Sequence, residues 1–450
     1  MTGRALRLRE RLRRLGGRDF LLPLLVSALV LLTALFAQSP LRDAATRTDA
    51  AGARLALSGA YLLIAPFCAL LDMQALLTIP QHIAVLATLL TGFVVWRVVS
   101  LGRSSFLPSW RGELIRLILT VLVVPFLVLL VNVLVPRPMA RLVVEDPDTV
   151  VVDVHAHTAS SHDARPDWRP AKVREWHRRS GFNVAYITDH KRFGGAVDGL
   201  ATNPRRAGDG VVLLSGLELY SGGQHVNVLS MTAGDSIFVD SADHLLRGTR
   251  LTDGRLPVIV QTIPFNFTML AGPQHDSLSR TTAIEINDGA PKGLTVGVTR
   301  HAELLHLADS LNLALVAGSD NHGWGNTVSG WTLVGVPGWR ALTPSQLAVQ
   351  LETVMRRGRG ATTVLERRTP LLVSPFTVAA TVPVAVISVA RGLTPPERAS
   401  WLAWAWVTIL VRLGVRRAAQ RSLARAREAR AHRRQRIRIV PIGAIASLSR

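Results

Sequence analysis

The sequence predicts an α/β domain, built on a parallel sheet or barrel, inserted between transmembrane helices at both ends of the chain. Three observations predict this fold class. Both ends of the 450-residue chain contain long, nearly uncharged apolar runs, whereas the middle has a mixed composition. In the middle, short runs rich in Val, Ile and Leu alternate with helical or loop stretches, a pattern typical of strands buried on both faces. Ionisable residues follow the ends of these runs, as they do at the active-site face of a barrel.

Composition divides the chain into five segments. They are a basic N-terminal segment at 1–19, a transmembrane region of about four helices at 20–136, the α/β domain at 145–366, a transmembrane region of about two helices at 370–416, and a basic tail at 417–450. The single cysteine, Cys68, lies in an apolar run. One cysteine cannot form a disulfide framework or a thiolate zinc site within one chain. Any metal must therefore be held by histidines and carboxylates.

Six apolar runs approach or exceed the roughly 20 residues that cross a bilayer. They are Phe20–Ala37, Leu55–Leu71, Gln81–Val99, Leu114–Val135, Leu371–Ala390 and Ala399–Val415. A cleaved signal peptide is the alternative for the first run, and buried helices of a soluble protein are the alternative for the set. Because such long uncharged runs seldom occur in soluble cores, we expect a multi-pass protein of the cell membrane.

The positive charge is concentrated at the two ends of the chain. The net charge is +21, yet residues 145–366 hold 20 Lys and Arg against 23 Asp and Glu. Basic segments beside apolar spans stay in the cytoplasm and attract anionic lipids. Nucleic acid, the competing partner, is not expected, because the basic tail lacks aromatic residues. Four spans before the α/β domain and two after it would place the domain in the cytoplasm, together with both termini.

Seven runs in the middle of the chain are predicted strands. They are "VVVDVHAH", "FNVAYITDH", "VVLLSGLEL", "HVNVLSM", "LPVIVQTIP", "AIEIND" and "LALVAGSD". Segments 170–180 and 300–310 have the spacing of covering helices. Since parallel strands of a barrel bring their carboxyl ends to one face, residues that follow these runs are expected to converge there.

The residues at the strand ends are those that bind metals. His155 and His157 end the first run and point the same way on a strand, and Asp320 and His322 repeat this spacing after the last run. Asp189 with His190 ends the second run, and Glu218 ends the third. Imidazole and carboxylate ligands suit zinc, iron or manganese, and a set of this size indicates two or three ions. The remaining histidines are expected at the surface: His177, His244, His275, His301 and His306.

Four motifs resemble, in order and spacing, those of the PHP (polymerase and histidinol phosphatase) domain family. They are "DVHAHTASSHD", "GFNVAYITDH", "GLELYSGGQHVNVL" and "AGSDNHG", and the resemblance covers about half of the chain, residues 148–366. It implies a distorted (β/α)7 TIM-like barrel, a site for two or three divalent zinc, manganese or iron ions, and hydrolysis of phosphate esters.

The resemblance also implies which residues bind the metals. The ligands carried over by position are His155, His157, Asp163, His190, Glu218, His225, Asp320 and His322. Glu218 matches a glutamate that bridges two ions, and Asp163 and His225 are the expected catalytic residues. His162 is the reserve for Asp163, because the acidic position is shifted in "HTASSHD".

One position departs from the family pattern. Ile263 stands before Pro264, where the family usually has a histidine ligand. An aliphatic side chain cannot bind a metal, so two ions are expected unless Gln261, Asn266 or His275 takes its place.

The function expected from the sequence is that of a membrane-anchored, metal-dependent phosphoesterase acting on a small-molecule or lipid-linked phosphorylated substrate. Metal ions neutralise phosphate charge and lower the pKa of a bound water to about 7. Lys191 and Arg192 follow the second motif and are available to meet the substrate's negative charge. Two alternatives stay open, namely a metal-dependent hydrolase of C–N amide bonds and a catalytically reduced binding or sensing module attached to the membrane.

Overall fold

The computed structural model describes residues 17–101, 109–221, 224–235, 250–263, 281–368, 371 and 373–438. The chain forms two compact units, which are described separately. The larger unit is Phe36–Glu397, and the smaller combines Met1–Leu35 with Arg398–Arg450.

Twelve strands occur in the described part of the larger unit. They are β1 (Leu41–Asp43), β2 (Ala53–Ala56), β3 (Arg141–Val144), β4 (Thr149–Ala156), β5 (Val184–Ile187), β6 (Val212–Ser221), β7 (Gln224–Leu229), β8 (Val258–Gln261), β9 (Thr281–Asp288), β10 (Ala314–Gly318), β11 (Gly330–Gly335) and β12 (Thr362–Arg367). Strands β2 and β3 pair with each other. The other ten form one sheet in the order β1-β12-β11-β4-β5-β6-β7-β8-β9-β10.

Fourteen α-helices accompany these strands in the described residues. They are α1 (Gly17–Ala34), α2 (Gly59–Leu63), α3 (Ala65–Ala75), α4 (Ile79–Leu101), α5 (Trp110–Ile118), α6 (Val124–Leu134), α7 (Pro170–Ser180), α8 (Gly194–Ala201), α9 (Pro291–Thr299), α10 (His301–Ser310), α11 (Pro344–Met355), α12 (Pro375–Ala379), α13 (Thr381–Arg391) and α14 (Pro395–Arg438). A π-helical turn, Leu119–Val123, joins α5 to α6.

The ten-stranded sheet is mixed and curls into a half-barrel. Strands β4, β5 and β6 run parallel, as do β8, β9 and β10, whereas β7, β11, β12 and β1 pair antiparallel with their neighbours. The curl brings β10 against β11 and β12, and side-chain hydrogen bonds join them. Thr332 Oγ1 on β11 accepts from Ala317 N at 2.8 Å, and Thr362 Oγ1 on β12 donates to Leu315 O at 2.5 Å. All seven predicted strands are confirmed, but their sheet is not all parallel, since strands as close in sequence as β6 and β7 can pair only as an antiparallel hairpin.

Both faces of the central strands are buried. On β4, Val150, Val152 and Val154 belong to one apolar cluster, and Val151 belongs to another that includes Trp176. This double burial explains why the strands read as continuous apolar runs. The predicted helix at 170–180 is confirmed as α7, which starts at Pro170 and is followed by Gly181 in the left-handed region, with φ of 95°.

Two helical segments among the described residues are long and apolar enough to cross a membrane, Ile79–Leu101 and Trp110–Leu134. They coincide with the predicted spans Gln81–Val99 and Leu114–Val135. We call this pair the apolar hairpin. A helix of 23 residues is about 35 Å long, against a hydrocarbon thickness of roughly 30 Å. Large apolar side chains of the hairpin are exposed, including Ile83 and Phe126.

The predicted span Leu55–Leu71 is not one helix and needs correction. Its residues end β2 and form α2, of 5 residues, and most of α3, of 11 residues. Neither helix has the length to cross a bilayer. Asp72 at the end of this run is buried and paired with Arg137 and Arg367, at 2.7 and 3.1 Å. The segment therefore packs within the larger unit.

The other three predicted spans correspond to shorter or mixed helices. Phe20–Ala37 overlaps α1, Leu371–Ala390 forms α12 and α13, and Ala399–Val415 is part of the 44-residue helix α14. In the smaller unit, Arg412 Nη1 lies 3.7 Å from Asp19 Oδ1, and Trp406 Nε1 donates to Ser27 Oγ at 3.3 Å.

Candidate metal centre

Four potential ligand atoms meet where strands β4, β6 and β10 come together. His155 Nε2 lies 3.3 Å from both Glu218 Oε2 and Asp320 Oδ1. His157 Nε2 lies 3.3 and 3.1 Å from the same two oxygens. His155 and His157 belong to the end of β4, Glu218 belongs to β6, and Asp320 follows β10. The curl of the sheet thus brings together groups from separate parts of the chain, as the sequence predicts.

A second group of ligands lies nearer the surface. His190 Nδ1 lies 3.1 Å from Glu218 Oε2, and His225 Nδ1 lies 2.6 Å from Glu218 Oε1. Asp163 is about half exposed, with its oxygens 3.2 Å from His322 Nε2 and 3.6 Å from His190 Nε2. Glu218 therefore lies between two sets of histidines: its Oε2 faces His155, His157 and His190, and its Oε1 faces His225.

Glu285 and Asp288 on β9 complete the buried side of the centre, and the sequence analysis missed both. Glu285 Oε1 lies 3.0 Å from His155 Nδ1, and the two acids form a compact group with His155. Ile263 packs in an apolar cluster, and its backbone N–H donates to Glu285 Oε2 at 3.4 Å. The carboxylate of Glu285, on the strand next to β8, therefore lies beside Ile263, the position at which the sequence pattern lacks a histidine. The signal was available, because "EIND" ends a predicted strand with acids, like the other motifs.

No predicted substitute for the missing histidine ligand at position 263 is found among the described residues. Gln261 is buried, and its amide donates to His225 O at 2.9 Å, while Asn266 and His275 lie outside the described residues. His162 is exposed and lies in a group with Asp163 and His190, so it remains the reserve for Asp163.

The electrostatics of the centre show an excess of buried acid. Burial, reinforced by neighbouring charges that include Asp320, raises the pKa of Glu285 and Asp288. Burial opposes protonation of His155, but Glu285, Asp320 and Glu218 outweigh it and hold the pKa of His155 well above its ordinary value. A hydrogen bond to Glu218 likewise raises the pKa of His225. Such a concentration of carboxylates is stable when a cation compensates it.

The buried residue Asp189 supports the first loop of the centre. It accepts hydrogen bonds from Thr158 N and Thr158 Oγ1 at 2.6 and 2.7 Å, and from Ser161 Oγ at 3.1 Å. Ser161 Oγ in turn lies 3.0 Å from His157 Nδ1. Partners of this kind fix the orientation of a metal-binding imidazole.

His177 is buried, which corrects its assignment to the surface. Its Nε2 lies 2.8 Å from Asp153 Oδ2, and its Nδ1 lies 2.7 Å from Val173 O. Asp153 Oδ1 accepts from His155 N and Ser319 N at 3.1 and 3.0 Å. The pair therefore ties together the ends of β4 and β10 beneath the ligands. His306 is exposed as expected, His301 is half-buried, and His244 lies outside the described residues.

The unpaired nitrogen of His157 tests whether these residues fit a metal ion. His157 is buried, and its Nε2 makes no hydrogen bond within the described residues, although Glu218 and Asp320 oxygens lie within 3.3 Å. An unpartnered buried nitrogen is costly. Two ligands at about 2.0–2.1 Å from a tetrahedral ion are roughly 3.3 Å apart, and the four distances between the inner imidazole nitrogens and carboxylate oxygens are 3.1–3.3 Å. The residues fit a divalent ion.

The backbone at the end of β10 is specialised for this packing. A Cβ on Gly318 would lie 2.4 Å from Glu285 Oε1 and 2.6 Å from the Cβ of His155. Asp320 has a φ of 46°, in the left-handed region that Asp tolerates better than most residues. Its backbone N–H donates to His155 O at 2.9 Å. Strained backbone of this kind is common at functional sites.

Three solved structures are similar to this chain. PsfC of Pseudomonas syringae is 20% identical with a TM-score of 0.33, over 53% of this chain and 96% of PsfC. A two-domain protein of Bacteroides vulgatus that contains a predicted PHP-like metal-dependent phosphoesterase is 16% identical with a TM-score of 0.31, over 49% of this chain and 65% of its own. A proposed metal-dependent phosphoesterase of Bifidobacterium adolescentis is 15% identical with a TM-score of 0.29, over 46% and 96%. The chain matches no protein-family model and no curated protein.

Proposed function

We propose that the protein is a membrane-anchored, metal-dependent phosphoesterase. The observation that carries this proposal is the set of four inner atoms, on His155, His157, Glu218 and Asp320, in which each imidazole nitrogen lies 3.1–3.3 Å from both carboxylate oxygens. The outer set, with Asp163, His190, His225 and His322, supports a second ion that shares Glu218.

Each group of residues has a distinct role in the proposed reaction. The eight predicted ligands, joined by Glu285 and Asp288, would hold two divalent ions, with zinc, manganese or iron favoured by the donor atoms. Bound ions neutralise phosphate charge and lower the pKa of water to about 7. His225 and Asp163 lie at the exposed edge of the centre, and whichever of them is protonated and not bound to an ion would be placed to give a proton to the leaving alkoxide. Lys191 and Arg192 are exposed beside His190 and would attract the anionic substrate.

The test is hydrolysis by the full-length protein purified in detergent and supplied with manganese, zinc or iron(II). We expect release of phosphate or alcohol from phosphate esters, with amides unreacted. The Glu218→Gln variant should lose activity at least about hundredfold, because the shared ligand is removed. The matched control is Glu175→Gln, since Glu175 is exposed and pairs only with Arg178 among the described residues.

Full activity in the Glu218→Gln protein would contradict the proposal. Hydrolysis of amides with phosphate esters left intact would favour the C–N hydrolase instead. Less than about one bound ion per chain, the minimum for metal-assisted hydrolysis, would favour a binding or sensing module.

A further inference from the structure

A cavity of about 440 Å³ lies between the metal centre and the helices of the larger unit. Asp163, Asp320 and His322 line one side of it. Residues of α3, α4 and α6 also line it, among them Leu129 and Val133, together with Leu76 just after α3. One chamber is therefore bounded both by metal-binding groups and by the apolar hairpin.

The hairpin is attached to the loop that carries two of these ligands. Gly325 N donates to Val133 O at 2.9 Å, and Asn326 Nδ2 donates to Val135 O at 3.1 Å. Arg137, just beyond α6, donates from Nη2 to Thr327 Oγ1 at 2.7 Å. The end of the hairpin and the loop after His322 are thus one hydrogen-bonded structure, which fixes the helix wall beside the centre.

The apolar wall of the cavity continues along the outside of the hairpin. Leu129 lines the cavity and is nonetheless 42% exposed. Phe126 and Leu122 follow at helical spacings of three and four residues and are 60% and 57% exposed. Phe126 lies one turn from Leu129 on α6, and Leu122 lies in the π-helical turn before α6, so a track of exposed apolar side chains leads from the cavity along the segment that is long enough to cross a membrane.

We infer that the substrate is an amphiphilic phosphate ester, a phosphate joined to a long apolar chain. Its phosphate would lie at the metal centre, and its chain would pass Leu129 and follow the track along α6. A short, water-soluble ester would leave the apolar wall of the cavity exposed to water, whereas an alkyl chain would cover it and remove apolar surface from water, which is favourable. Gln74, His82 and Asn132 also line the cavity and offer hydrogen bonds to polar atoms between phosphate and chain. This inference rests on the proposed function and specifies its substrate class.

The experiment compares esters that differ only in chain length. Ethyl phosphate and dodecyl phosphate, and the para-nitrophenyl diesters of each, are hydrolysed by the full-length protein with manganese in micelles of one neutral detergent. Of the monoesters and the diesters, one pair is expected to be hydrolysed. Within that pair we expect kcat/KM to be at least about tenfold higher for the dodecyl ester than for the ethyl ester, because a single buried methylene already provides about tenfold discrimination.

A substitution in the track connects this preference to the cavity. Leu129→Trp should reduce the dodecyl-to-ethyl ratio of kcat/KM about tenfold, since a larger side chain narrows the cavity where the chain passes. Leu130→Trp is the matched control, because Leu130 is the adjacent helix residue and does not line the cavity. It should leave the ratio unchanged.

The outcomes separate this inference from the proposed function. Equal kcat/KM for the ethyl and dodecyl esters, with the activity dependent on Glu218, overturns the amphiphilic substrate and leaves the phosphoesterase in place. An unchanged ratio in Leu129→Trp also overturns it. The absence of metal-dependent hydrolysis of every ester refutes the proposed function and the inference together.

Discussion

At the scale of single residues, the centre is defined by buried acids that face buried imidazoles. Glu218, Glu285, Asp288 and Asp320 contribute four carboxyl groups within one cluster, and His155 lies against three of them. His155, His157, Glu218 and Asp320 could be identified from the sequence because they belong to motifs with metal-ligand spacing. Glu285 and Asp288 also end a predicted strand, but they lack the paired metal-ligand spacing of the other motifs, and the curl of the sheet shows that β9 faces β4.

Removing metal ions should destabilise the protein, and more so as the pH rises. In the folded chelated protein the pKa values of Glu285, Asp288 and His155 are raised. Each then contributes stability below its ordinary pKa that is lost as the pH rises through the raised value. The pKa values of Glu218 and Asp320 shift downward, and their contribution is already complete above about pH 5. Burial lowers the pKa of His157, which favours folding as the pH rises, but the three groups with raised pKa values outnumber it. Melting temperatures in detergent with a chelator should therefore be lower at about pH 8 than at about pH 5.5.

Added manganese or zinc is the control for chelation, because ions replace the protons and bind better as the ligands deprotonate. Metal addition should therefore raise the melting temperature most at the higher pH. A chelator that leaves the melting temperature unchanged at both pH values would contradict a metal centre in the folded protein.

At the scale of elements, the seven strands and helix α7 could be predicted from the sequence, but their arrangement could not. Buried strands produce continuous apolar runs whether they pair parallel or antiparallel, so β7 carries no sign of its direction. Strand β1, of only 3 residues, is too short to show a pattern. Pro66 interrupts the run Leu55–Leu71 in the sequence and lies in the first turn of α3. The packing of this segment within the larger unit was not predicted, because an apolar run does not reveal that Tyr61 and Asp72 are buried against arginines.

The glycine that ends β10 should be essential for assembling the centre. Gly318→Ala would force a methyl group against Glu285 and His155, at a cost of about 1–3 kcal/mol in the free energy of unfolding. We expect bound metal, measured by elemental analysis, to fall below about one ion per chain as the ligands move apart. Gly335→Ala is the control, since a Cβ at this strand-end glycine meets nothing within 4 Å. Full metal content in Gly318→Ala would show that the contact is not needed.

At the scale of the whole molecule, buried ion pairs join the helical segments of the larger unit to its sheet. Arg367 at the end of β12 pairs with Asp72 at 3.1 Å, and Arg368 pairs with Glu397 at 3.0 Å. Arg137, after α6, lies 2.7 Å from Asp72. Arginines beside apolar spans would favour a cytoplasmic position for the α/β domain. Because they are buried and paired within the protein, they carry little information about the side of the membrane.

Strand pairing instead limits how often the chain crosses the membrane. Strand β1 pairs with β12, and β2 pairs with β3, so the chain before the apolar hairpin and the chain after it lie on the same side. The two helical segments of the hairpin are long and apolar enough for two crossings, which would place its tip on the opposite side. The tip carries Arg97 and Arg111, each stacked on a neighbouring exposed tryptophan. Tryptophans are enriched at both membrane interfaces, and arginines in a short loop favour the cytoplasmic one.

We therefore predict that the α/β domain lies outside the cytoplasm, in contrast to the side inferred from counting four spans before it. The test replaces the single cysteine, Cys68→Ser, and adds either Ser345→Cys on the exposed start of α11 or Ser109→Cys at the hairpin tip. A membrane-impermeant maleimide should label Ser345→Cys in intact cells, and Ser109→Cys only after permeabilisation. The reverse labelling pattern would place the domain in the cytoplasm. Because the paired strands keep both ends of the hairpin on one side, a cysteine in the domain and a cysteine at the hairpin tip report opposite sides of the membrane.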